Sequence, residues 1–187
     1  MSFRTPVALP KSYLLLNHGP LTLVSSAAGG RKNVMAASWA MPVDFDPPKV
    51  AVVIDRNTLT RELVEASGEF VLNIPARHIA REALEAGSRS GREGDKLAAL
   101  GLGHAPASQV GAPLIEGCLG WLECRVLPEP DNHRKHDLFV AEVVAAWADP
   151  RVFDNGRWRF HDDQLRTVHY SAGGHFFATG EGFDIPI

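Results

Sequence analysis

The sequence predicts a mainly β fold in which an antiparallel barrel of modest size carries a few short helices. Three observations point there: six or more runs of β-prone residues, mostly short connections between them, and only two or three stretches with helical period. Barrel closure is the natural end state, because it removes sheet edges. With 187 residues, of which 45% are hydrophobic, the chain can bury a substantial core. The expectation is a single domain over 1–187, with its core at about 20–170.

Each element is justified in turn. "PLTLVSSA", Pro20 to Ala27, carries Leu21, Leu23 and the β-prone Thr22 and Val24, and a turn follows at Gly29 and Gly30. A second strand covers roughly Asn33 to Met41 and stops at "DFDPPK", since adjacent prolines cannot donate to a ladder. The near-continuous apolar run Val50 to Ile54 predicts a strand buried on both faces. In "NTLTRELVEASG" the period changes: Leu63, Val64 and Ala66 sit on a short helix with Thr60 placed as its N-cap and Gly68 as its stop. Phe70 to Ile74 returns to strand. "ARHIAREALEAGS" predicts a second helix with Ile79, Ala83 and Leu84 on one face and Gly87 at its end. A Gly/Ser/Arg loop from Gly87 to Lys96 leads into a short helix over Leu97 to Leu100. "LGWLECRVL" and "HDLFVAEVVAAWA" are strongly β in character and are joined by the polar "PEPDNHRKH". A last strand reaches Tyr170, and a Gly-Gly turn precedes Phe176 and Phe177.

Composition excludes several classes. A formal charge of −3 and a pI near 6.2 leave no basic surplus for a phosphate backbone, so nucleic acid is not an expected partner. Cys118 and Cys124 match neither a zinc ribbon nor a redox CxxC, which favours a reducing, cytoplasmic setting. The N-terminal stretch offers only the apolar group Leu14 to Leu16, too short for a signal h-region or a membrane span, so a soluble protein with no membrane partner is expected.

Few constellations carry chemistry by themselves. The free amides at the start of the Thr60 helix suit a phosphate, although the residues alone favour a plain cap at Thr60. Arg89, Arg92 and Lys96 place three cations on the Gly87–Lys96 loop, which lacks the GK[ST] of a Walker loop and reads either as a phosphate site or as a solvated loop. "HRKHD" holds His133, His136 and Asp137, but three-residue histidine spacing in a strand or loop lacks helical enforcement and a further partner, so no metal is assigned. Ser38 sits inside a strand with no GxSxG elbow, and the strand residues Glu123 and Glu142 show no shared spacing. Trp39 stands among Ala36, Ala37 and Ser38, and is either core filler or the wall of a pocket for a planar ligand.

Five blocks then form a pattern. "NVMAASW", "DFDPPKVAVVI", "TRELVEASGEFVLNIP", "SGREGDKLAALGL" and "APLIEGCLGWLECRV", in this order, resemble the flavin reductase-like FMN-binding split-barrel family over about Pro20 to Tyr170. The resemblance implies a six-stranded antiparallel split β-barrel of Greek-key type that forms a homodimer, with FMN in a cleft near the subunit interface. By position, Asn33, Ala37, Ser38 and Trp39 would line the ring and ribityl chain, while Thr60 and Lys96 would approach the phosphate with Ser90, Gly91 and Arg92 in support. His136 matches a histidine directed at the flavin and is the one catalytic candidate, and Phe176 matches an aromatic near the ring. Two departures stand out: Ala36 replaces the threonine of "NVMTASW", and Leu97 replaces the aromatic of "GRDVDKF".

The implied activity is an NAD(P)H-dependent flavin reductase that passes hydride from NADH or NADPH to flavin N5 and supplies a monooxygenase or an electron-transfer protein. The alternative is a flavoredoxin-like electron carrier that holds FMN without a nicotinamide site of its own. No nicotinamide fingerprint chooses between NADH and NADPH.

Overall fold

In the computed structural model, which describes residues 4–186, one antiparallel sheet dominates. Its strands are β1 (Thr22–Ala28), β2 (Arg31–Ala37), β3 (Ala40–Phe45), β4 (Pro48–Val53), β5 (Glu69–Pro75), β6 (Cys118–Val126) and β7 (Leu138–Ala148). They pair in the order β2-β1-β5-β6-β7-β4-β3, and the short Thr5–Pro6 strand joins β7 as an eighth member. The count exceeds the expected six partly because the strand expected over Asn33 to Met41 is two strands. The chain leaves β2 after Ala37, passes Ser38 and Trp39, and restarts at Ala40 against β4, at the other end of the sheet. The expected break at "DFDPPK" is the turn of the β3–β4 hairpin, made by Asp46 and Pro47.

Alternation along the strands fills both faces. Val24, Leu72 and Leu122 lie in register and join Val50, Val52, Phe70, Phe139 and Val143 in one cluster. Leu23, Val71 and Trp121 belong to a second cluster on the opposite face. Because side chains of both parities are buried, these strands read as continuous apolar runs. The segment before β1 contributes as well: a 3-10 helix over Leu9–Leu15 sends the fully buried Leu15 and Leu16 into the first cluster.

Helices pack on both faces, with Val64 in the first cluster and Ala83, Ala86 and Leu97 in the second. Helix α1 (Leu59–Ser67) ends on Gly68, whose left-handed φ of 71° lets its N–H reach Val64 O. Helix α2 (Ala80–Ser88) follows a 3-10 turn over Arg77–Ile79, runs through Gly87, where a stop was expected, and buries Ala83 and Ala86. Helix α3 spans Lys96–Ala99. The polar "PEPDNHRKH" segment is not a loop: Pro130–His136 form helix α4, started by Pro130 and closed by Asp137 at φ 53°. After β7 the hairpin β8 (Val168–Ala172) and β9 (His175–Ala178) closes the described chain. No helix among the described residues is long and apolar enough to cross a membrane.

Buried polar groups fasten the loops. Asn73 donates to Leu23 O at 2.8 Å and to Ser25 Oγ at 3.0 Å, and accepts from Ile115 N at 2.8 Å. The fully buried Glu123 carboxylate accepts from Ser108 N, Gln109 N and Trp147 Nε1, which makes it an anchor for the 108–109 turn.

Candidate functional site

The side chain that caps α1 is Thr58, not Thr60: Thr58 Oγ1 accepts from Arg61 N at 3.1 Å. Placed two residues further on, Thr60 is fully buried, and its hydroxyl accepts from Asn33 Nδ2 at 2.9 Å. The other half of that amide, Asn33 Oδ1, is buried and without a partner among the described residues. Gly91 lies directly over it. A Cβ at that position would stand 2.2 Å from Asn33 Oδ1, so only glycine fits. An unsatisfied buried acceptor costs about 1–3 kcal/mol, and this one is balanced once a donor such as a ligand hydroxyl or a water reaches it.

The loop above β2 supplies the charges. Ser90 Oγ accepts from Arg92 N at 3.2 Å and sets the turn over Gly91–Glu93. Arg92 pairs with Glu62 at 2.7 Å and donates to Asn57 O at 3.3 Å, which joins the loop to α1. Lys96, 5% exposed as a residue, turns inward: its ammonium donates to Val34 O at 2.9 Å and Ala86 O at 2.7 Å, and burial lowers its pKa to about 8. The structure thus gathers Asn33, Thr60, Ser90, Gly91, Arg92 and Lys96 into one neighbourhood. An open groove of roughly 440 Å³ runs past it, lined by Gly91 and Arg92 and also by Arg31, Lys32 and His104, three residues that the sequence reading did not place there. The adjacent Arg31-Lys32 pair at the hairpin turn was the available signal.

Further along β2, Ala37 is buried and its carbonyl accepts from Thr22 Oγ1 at 2.8 Å, while Ser38 is exposed. Trp39 is 74% exposed, so it is not core filler. It heads a row continued by Met41, Val43 and Phe45, all more than half exposed on alternate positions of a terminal strand. The alternation in "AMPVDF" was legible, but it was hidden by treating this stretch as the end of one strand.

Among the described residues no hydrogen bond joins the side chains of His136 or Phe176 to the Asn33 group, although Phe176 packs on the cluster that holds Val34 and Leu97. His136 is exposed at the end of α4 and makes no side-chain hydrogen bond among the described residues. Its helix is nevertheless tied to α1 through the buried Arg61, which donates to His133 O at 2.9 Å and to Asp137 Oδ1 at 3.1 Å and lies 4.7 Å over the Phe139 ring. His133 stacks on the same ring at 4.2 Å, and burial together with the Arg61 charge lowers its pKa. "HRKHD" therefore does lie mostly on a helix, with His133 used in packing, and no group of three metal-ligating side chains occurs among the described residues. Phe176, half-buried, packs against Tyr170 at 5.1 Å.

Comparison with known proteins agrees with this architecture. The flavin reductase-like domain model matches residues 16–170, and the chain belongs to that family. Its sequence is 44% identical to the uncharacterized protein YddH of Escherichia coli K12 over 97% of both chains. The fold superimposes with a TM-score of 0.95 on the FMN-binding domain of a flavin reductases-like enzyme from Shewanella baltica, 43% identical and covering 98% of this chain and 97% of that one. Flavoredoxin of Desulfovibrio vulgaris (Miyazaki F) gives a TM-score of 0.78 at 28% identity, covering 89% of this chain and 90% of the other.

Proposed function

We propose that this protein binds FMN and acts as an NAD(P)H-dependent flavin oxidoreductase. The observation that carries the reading is the buried, unpartnered Asn33 Oδ1 beneath Gly91, on the strand that leads to the exposed Trp39. A flavin mononucleotide offers what these residues lack: hydroxyls for Asn33, an anion for the basic loop, and a flat apolar ring for Trp39. Held by these residues, the group would supply the redox chemistry, hydride acceptance from a nicotinamide and onward electron transfer.

The residues of this chain have distinct tasks. Asn33 and Thr60 orient the sugar chain, with Ala37 and Ser38 small enough to let backbone approach it. Ser90, Gly91 and Arg92 face the phosphate, and Lys96 adds positive charge from behind while its N–H groups hold backbone. Trp39 bounds the ring. His136 and Phe176 belong to the site if α4 and the β8–β9 hairpin border the ring edge, with His136 stabilising negative charge there.

The row Trp39, Met41, Val43 and Phe45 supports a homodimer, because an apolar edge strand left bare invites pairing. It would place a second copy beside Trp39, so that the site is completed between subunits. A reducing, cytoplasmic setting fits the two unpaired thiols.

Likeness to flavoredoxin favours a second reading, an electron carrier that takes electrons from a protein donor. Mixing the FMN-loaded protein with NADH or NADPH separates the two. Bleaching of the visible flavin band at catalytic rates supports the reductase, and a spectrum that responds only to a reduced protein donor supports the carrier. Protein that takes up no FMN overturns both.

A further inference from the structure

A second cluster of titratable side chains lies away from the proposed cofactor site, where the β8–β9 hairpin meets the turn before β1. Its hydrogen bonds form one chain. His169 Nδ1 lies 2.9 Å from Gly19 O, and His169 Nε2 lies 3.0 Å from Thr179 Oγ1. Thr179 Oγ1 is 2.6 Å from Thr167 Oγ1, which is 3.0 Å from His18 Nε2. A carbonyl only accepts, so His169 carries its proton on Nδ1, and its Nε2 accepts from Thr179. That choice propagates. Thr179 spends its proton on His169 and accepts from Thr167, and Thr167 accepts from His18 Nε2–H. His18 Nδ1 is left as a bare lone pair, buried and without a partner among the described residues.

We propose that His18, Thr167, Thr179 and His169 form a proton-operated clasp that fastens the C-terminal hairpin to the body near neutral pH and releases it in acid. The direction of the chain explains why a proton opens it. A proton added to His18 places an imidazolium in an apolar setting, 5.4 Å from the Trp158 ring and 5.7 Å from His169. A proton added to His169 Nε2 reverses every hydroxyl and leaves the proton of His18 on Nδ1, where no acceptor stands. Among the described residues no carboxylate pairs with either histidine, and Arg166, beside Thr167, is engaged with Thr179 O at 2.9 Å and Asp163 Oδ1 at 2.7 Å.

Burial, with the His169 charge second, lowers the pKa of His18 from 6.5 to about 4. The released state binds the proton first, so clasping is complete above pH 6.5 and is lost as pH falls through the window toward 4. This regulation rests on the proposed function only in its consequence: the hairpin carries Phe176, so release would withdraw that ring from the flavin.

Hydrogen exchange on the flavin-free protein tests it. After correction for intrinsic rates, protection of Val168–Ala178 should fall on the order of 100-fold between about pH 7 and about pH 4.5 relative to β5 and β6. His18→Gln keeps a donor for Thr167 without a titrating ring and should flatten that dependence. A hairpin whose protection is constant in the wild type, or falls equally in both proteins, overturns the clasp. Should the variant not fold, imidazole nitrogen shifts of the wild type decide: protons on His169 Nδ1 and His18 Nε2 near neutrality support it, and the opposite tautomers refute it. Since no flavin is present, failure here leaves the oxidoreductase reading intact, and failure to bind FMN leaves the clasp intact.

Discussion

The two terminal strands of the sheet, β2 and β3, are consecutive in the chain and are treated in opposite ways. β2 is closed by its own polypeptide: Asn33, Val34 and Ala37 are buried, Gly87 of α2 packs on Ala36, and the Lys96 ammonium ties Val34 O to Ala86 O. β3 is covered less: the Leu9–Leu15 helix packs on it, with Tyr13 6.1 Å from Phe45, but Met41, Val43 and Phe45 stay more than half exposed. Both strands face the same hazard, an unpaired row of backbone groups. One edge is covered within the subunit and the other is left largely open, and Trp39 marks the point where the chain passes from one arrangement to the other.

Substitutions can break this contrast. The largest effect is expected on the open edge: Met41→Glu with Phe45→Glu should weaken self-association by about 1,000-fold, roughly 4 kcal/mol, as read by sedimentation equilibrium. The melting temperature of the monomer should hardly move, since both side chains are exposed. An unaltered dimer would relocate the interface. On the closed edge, Lys96→Met should cost about 2 kcal/mol in chemical denaturation, because two buried carbonyls lose their donor.

The same lysine has a pH signature. Its folded pKa of about 8 lies below the unfolded 10.5, so between these values the unfolded chain holds a proton that the folded one has released, and stability rises with pH. Denaturation across that window should show wild type gaining about 1–3 kcal/mol relative to Lys96→Met. A flat difference would mean that the ammonium is better solvated than its contacts imply.

At the junction, Trp39→Ala should lower FMN affinity about tenfold in a flavin titration while changing stability by less than about 0.5 kcal/mol. A large loss of stability without flavin would return Trp39 to a structural role. The smallest effect concerns the helix that delivers Thr60: Thr58→Ala should cost about 1 kcal/mol by thermal melt, and Thr60→Ala should spare the cap while freeing Asn33 Nδ2.

Much of the barrel was legible because its strands obey local rules. Val50 to Ile54 reads as buried on both faces from composition alone, and Gly68 stops α1 through a backbone geometry that only glycine adopts freely. Legibility failed where a local signal had two solutions. Thr58 and Thr60 are equally good caps in sequence, and packing of Thr60 against Asn33 settles the choice. "HRKHD" lacks helical periodicity of the apolar kind because α4 buries no residue of its own, and it is held from outside by Arg61.

Alternation, turn residues and block order were enough to specify most of the strands, the fold class and the family, since these depend on residues close in the chain. Which groups share a space was settled by folding. Asn33 and Gly91 are far apart in sequence yet too close for a methyl group, and Lys96, a surface cation by composition, is drawn inside by two carbonyls. Such pairings depend on long-range register and on the satisfaction of buried polar atoms, neither of which a linear pattern encodes.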